Sequence, residues 1–187
     1  MENKKNIVTV HAKPLDMLPS IVGVKPNRQD VIAKKSLWKK QDVTVELNLL
    51  DALKKEIPVR AHKLLLLALA EFTKQNQFDK KKQSHVNTHV RFQLKEVVEI
   101  LGYDVSNRTQ RDNAYKGIKS DLRVLQALTI TWQSKKDKKD YRSISVIDLQ
   151  GIVGGVVEIE FTLRMAEYLL KQPRTTLPLE LFVRHNG

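Results

Sequence analysis

The stretch SNRTQRDNAY, residues 106–115, places two arginines, three amides and two short hydroxyls within about three helical turns. These are the side chains that reach DNA. A guanidinium pairs bidentately with guanine, an amide pairs with adenine, and a hydroxyl reaches a phosphate oxygen. The Glu–Lys pairs at four-residue spacing that support an ordinary exposed helix are missing from it. A second group of charges follows in SKKDKKD, where Lys135, Lys136, Lys138 and Lys139 could lie along phosphates. Each group has a plainer explanation. Asn107 with Gln110, or Thr109 with Asp112, can simply cap a helix, and a lysine-rich hairpin tip is usually a solvated turn.

What surrounds these residues decides how to read them. QLKEVVEILG spaces Leu94, Val97, Val98 and Leu101 as one face of a short helix that closes at Gly102. The next helix runs from about residue 108 to Leu128 and puts Ala114, Ile118, Leu122 and Leu125 on a core face. At 100° per residue its opposite face carries Thr109, Asn113, Lys116, Ser120 and Arg123, with Arg108, Arg111 and Lys119 at the flanks. Before this pair, VTVELNLL predicts a strand, IPVRAHKLLLLALAEFTKQ a long buried helix behind Pro58, and THVRFQL a short strand. After it, ALTITWQ and YRSISVIDL predict two strands around the lysine-rich tip. VVEIEF at 156–161 predicts a third, and TLRMAEYLLKQ a helix capped by Thr162. Helix, strand, short helix, tight turn, longer helix and basic hairpin make an α+β winged helix, a helix-turn-helix followed by a β-wing. The longer helix would enter a major groove and the preceding one cross the backbone. Residues 1–42, with nine lysines and arginines and with prolines at 14, 19 and 26, predict a flexible basic arm ahead of a domain over 43–187.

The formal charge of +12 favours a polyanionic partner. Membrane spanning is not expected, since the longest apolar run, Leu64 to Ala70, falls far short of the ~20 residues required. With no cysteine and no secretory leader pattern, the expectation is a cytoplasmic chain without disulfides. Catalysis, cofactor and metal are not expected either. His85 and His89 in HVNTH lack nearby carboxylates to complete a metal shell, and no His-x-His accompanies a tyrosine. GIVGG lacks the Lys-Ser/Thr of a phosphate loop, and Tyr103, Tyr115, Tyr141 and Tyr168 read as core-edge rings.

The segments KLLLLALAEF, RFQLKEVVEILGY, NAYKGIKSDLRVLQALTITW and LPLELFVRHNG together resemble the N-terminal winged-helix region of replication initiators. These are the initiators of plasmids and related mobile elements, of the theta-replicating kind found in low-GC Gram-positive bacteria. The resemblance covers about residues 44–187 and is one of pattern rather than of an invariant signature. It implies binding to repeated double-stranded sequences at an origin, a homodimer in some states, melting of an AT-rich segment and recruitment of host helicase machinery. Members of that group continue past this region, so helicase-loading elements are expected beyond it. A transcriptional repressor could use the same DNA-binding domain, and the residues do not separate the two. A protein-interaction domain built on the same fold is the third reading.

Overall fold

The computed structural model describes residues 6–10, 31–38, 41–48, 59–76, 86–134, 137 and 139–178. Strand β1 (Asn6–Val10) is followed by β2 (Val31–Trp38) and β3 (Gln41–Asn48), which pair antiparallel as a hairpin. Two of these strands fall in the stretch expected to be a flexible arm, and the expected boundary at residue 42 falls inside the third. The short segments NIVTV and VIAKKSLW, each with β-branched residues, form strands despite the lysines and prolines around them, because five to eight residues are enough for a strand. The rest of that arm, including IVGV at 21–24, lies outside the described residues.

Helix α1 (Val59–Gln75) is the central pillar, as its apolar run predicts. Ala61, Leu64, Leu65, Ala68, Leu69 and Phe72 are buried at most 1 % exposed, and the Phe72 ring meets Phe161 edge-on at 5.4 Å and 73°. Strand β4 (His89–Gln93) passes without a linker into α2 (Leu94–Ile100). The helix ends where Gly102 takes a φ of 67°, a left-handed turn that favours glycine. The Tyr103 and Gly102 amides then donate back to Val98 O at 3.1 Å and Glu99 O at 3.0 Å, the paired bonds of a Schellman cap. Helix α3 (Arg108–Gln126) follows, ending two residues earlier than the sequence suggests.

The strands after α3 hold the main departure from expectation. β5 (Leu128–Ser134) and β6 (Tyr141–Ser145) form the expected hairpin, closed by the Ser134 amide donating to Asp140 O at 2.9 Å. YRSISVIDL is not one strand, however. It divides at fully buried Val146, and β7 (Ile147–Val153) turns into a different sheet with β8 (Val156–Phe161). Helix α4 (Leu163–Leu170), capped by Thr162 as expected with its hydroxyl 3.2 Å from the Met165 amide, and β9 (Arg174–Pro178) complete the order.

Among the described residues there are three antiparallel sheets, ordered β1-β9, β2-β3-β5-β6 and β4-β8-β7. The strand that leads into the helix-turn-helix, β4, therefore pairs with β8, with Val90 opposite Ile159 and Phe92 opposite Val157. That sheet has its own turn, Gly154–Gly155, with φ of 56° and 77°, and it carries no lysine. The lysine-bearing hairpin extends the other sheet, beside β3. Apolar cross-strand pairs set the pairing: Val90, Val157 and Ile159 are all buried, whereas the lysines choose no partner strand. Helices and sheets share one core, to which α2 contributes Leu94, Val97 and Val98 and α4 contributes Met165, Ala166 and Leu169.

Candidate nucleic-acid interface

The start of α3 is fixed by a reciprocal cap. The Asn107 side chain accepts from the Gln110 amide at 2.9 Å, and Gln110 Oε1 accepts from the Asn107 amide at 3.2 Å. Ser106 donates its hydroxyl to the same Gln110 oxygen. Asp104 accepts from Gln110 Nε2 at 2.5 Å and from the Ser106 amide at 2.9 Å. Three polar residues of SNRTQRDNAY are thus engaged in holding the turn, and of the two caps the sequence allows, Asn107–Gln110 forms. Asn107→Ala is expected to cost about 1 kcal/mol of unfolding free energy, within the range of about 0.5–2 for such caps, read from urea midpoints.

The helix is held to the body by a cluster that periodicity alone did not indicate. Tyr103, in the turn, donates its hydroxyl to Asp121 of α3 at 3.1 Å, and the Arg60 guanidinium of α1 lies 4.5 Å from the centre of the Tyr103 ring. Burial, and then the Asp121 carboxylate, hold the phenol well above its usual pKa, so it remains a proton donor. Gly117 makes room for it: a Cβ there would meet the Tyr103 hydroxyl at 2.6 Å. A glycine inside a helix costs about 0.5–1 kcal/mol relative to alanine, and here it lets the turn pack directly on α3. The signal in the sequence was Asp121 itself, a carboxylate at only 1 % exposure on a helix face otherwise made of Ala114, Ile118, Leu122 and Leu125.

With one side buried, α3 turns the other outward. Arg108, Thr109, Asn113, Lys116 and Lys119 are exposed there, Ser120 is half-buried at the margin beside buried Val124, and Arg111 is exposed near the helix start, in line with the buried side. Arg123 and Asp112 are exposed on the same side. The outer side of α2 carries Lys95, Glu96 and Glu99, so the positive charge of the helix pair resides on α3. At the basic hairpin, Lys139 is exposed in the turn, while Lys135, Lys136 and Lys138 lie outside the described residues.

The hairpin also has cationic neighbours that the sequence did not single out. Between it and α4 runs a groove of about 800 Å³ whose lining includes Trp132, Tyr141, Arg142, Arg164, Glu167 and Lys171. Arg164 is partly neutralised by Glu167 at 3.7 Å. Tyr141 and Tyr115 are exposed, 71 % and 42 %, and so differ from the core-edge rings expected of them. Tyr103 and Tyr168 do pack against the core. Of HVNTH, His89 is half-buried in β4 and His85 lies outside the described residues. Among the described residues no group of three potential ligands could hold a metal. Nor, among them, is any helix long and apolar enough to cross a membrane.

A search of solved structures finds a likeness to domains 2 and 3 of RctB, in a crystal structure of their selenomethionine derivatives. The TM-score is 0.49 at 10% identity, over 94% of this chain and 67% of that one. None of the curated proteins compared with the chain matches it. Residues 39–185, however, match the family model described as "Initiator Replication protein, WH1". That match takes in α1, the helix-turn-helix and every strand from β3 to β9, and through it the chain belongs to the replication initiator family, of which these residues form the WH1 winged-helix domain.

Proposed function

We propose that this domain binds double-stranded DNA in a sequence-specific way at repeated sites in an origin, with α3 in the major groove, and performs no catalysis of its own. One observation carries the reading. Arg108, Thr109, Asn113, Lys116 and Lys119 stand exposed on a helix whose other face is locked into the core and whose start, where Arg111 is also exposed, is fixed by a cap. A rigid helix presenting Arg, Lys, Asn and Thr to solvent is suited to base edges and phosphates, since groups held in place lose less freedom on binding. Thr109, Asn113 and Lys116 take the base edges, with Ser120 at the margin, and Arg108, Arg111 and Lys119 take the flanking phosphates. Lys139, with its sequence neighbours Lys135, Lys136 and Lys138, adds phosphate contacts that carry no sequence information.

The test is selection of bound duplexes from a randomised pool, followed by a search for repeats of the enriched sequence near the gene. Tandem repeats of one enriched site are expected. Affinity for that site should fall with salt at a slope of about −0.9 per phosphate contacted. Absence of any enriched sequence, with binding that depends on salt alone, would show that α3 does not read bases. A single palindrome over a promoter would point to repression instead.

A further inference from the structure

On α3, Asp112 sits where a DNA-binding helix should not carry a carboxylate. It is exposed, four residues from Arg108 on one side and four from Lys116 on the other, with Lys119 and Arg123 along the same side. Capping, one ordinary task of a carboxylate near a helix start, is already filled. The cap is made by Asn107 and Gln110, and Asp104 serves the turn. Among the described residues, no hydrogen bond or ion pair within 4.0 Å engages the Asp112 side chain. It also lies beyond the first turn, where a negative charge gains most from the helix dipole.

We propose that Asp112 is a specificity-determining residue that reads a cytosine, its carboxylate accepting from the exocyclic N4 amino group in the major groove. This rests on the reading of α3 as the helix that enters that groove. Phosphates repel a carboxylate, and so do the acceptor edges of guanine (N7 and O6), of thymine (O4) and of adenine at N7. Cytosine presents only a donor there, whereas the adenine amino group sits beside an acceptor on the same base. A carboxylate among cations therefore weakens binding to every sequence that lacks a cytosine at its position and restores it only where one is present. Discrimination then comes as much from rejecting wrong sites as from holding the right one.

The full chain, with Asp112→Ala and Asp112→Asn, is put through enrichment from a pool of duplexes with a randomised core of about 20 base pairs, a length that covers two turns of DNA. Each protein is then titrated with the duplex enriched by the wild type and with an unenriched one. Asp112→Ala should bind the unenriched duplex about two- to fivefold tighter, because a repelled charge is gone. It should bind the enriched duplex about fivefold weaker or worse, and lose the cytosine preference at one position. Asp112→Asn should move that preference toward adenine, since an amide both donates to N7 and accepts from N6. Equal tightening on both duplexes with an unchanged enriched sequence would overturn the proposal, leaving the carboxylate a repulsive charge only. So would unchanged affinity for both. Asn113→Ala and Lys116→Ala are enriched in parallel: if they alter the sequence and the Asp112 variants do not, this proposal alone fails. If none of the four does, the reading of α3 fails with it.

Discussion

Asn113→Ala and Lys116→Ala are each expected to weaken binding to the preferred duplex by about 1 to 3 kcal/mol, and binding to random DNA by much less. Both side chains are exposed on a helix whose buried side is set by Ala114, Ile118, Leu122 and Leu125, so their removal leaves the packing untouched. Only the specific complex loses their bonds. Lys139→Ala, in the hairpin turn, should lower both affinities by similar factors and flatten the salt dependence, because phosphates are the same in every sequence. Fluorescence titrations of all three variants on both DNAs, with thermal unfolding followed in parallel, check this. An exposed capped helix with no role in binding would show changes within about 0.5 kcal/mol throughout.

Phe72→Ala should cost about 3 to 5 kcal/mol of stability, the range for removing a buried aromatic ring. Phe72 is fully buried on α1 and meets Phe161 of β8 edge-on, so the cavity would open where the central helix joins the sheet whose strand β4 leads into the helix-turn-helix. Neighbouring Leu69, Thr73 and Asn76 are themselves packed, and the last two are bonded to main-chain carbonyls, which limits collapse into the gap. Such a loss is a large share of the roughly 5–15 kcal/mol that holds an average domain together. Urea denaturation measures it. A cost below about 1 kcal/mol would mean that the α1–β8 contact is not part of the core.

The helices were legible in the sequence because each declares itself locally. Leu94, Val97, Val98 and Leu101 give the period, Gly102 the stop, and Asn107 with Gln110 the next start. Strand pairing was less so. The lysines of the β5–β6 turn drew attention to that hairpin, yet β4 pairs with β8 because Val90, Val157 and Ile159 need a common buried face. That is a relation across some seventy residues, which no local pattern records. Nor does composition distinguish a basic arm from one that contains strands: β1 pairs with β9, more than 160 residues away, and buries Thr9 and Val10. At the candidate interface the exposure of Thr109, Asn113 and Lys116 followed from periodicity, whereas that of Arg111, in line with Ile118 and Leu122, did not. Tyr103, Gly117, Asp121 and Arg60 did not, because their contact joins three separate segments.

The placement of α3 in the major groove of a specific site has a direct geometric test. The chain has no cysteine, so Tyr115→Cys introduces a unique thiol on α3 at an exposed position outside the proposed base and phosphate contacts. An iron–chelate cleaving reagent attached there should cut both strands within the enriched site, centred on the bases whose preference changes in Asn113→Ala. The cysteine-free wild type, treated identically, should cut nowhere. If the labelled protein occupies the site with the wild-type footprint and yet cleaves only outside it, α3 is not the helix in the groove.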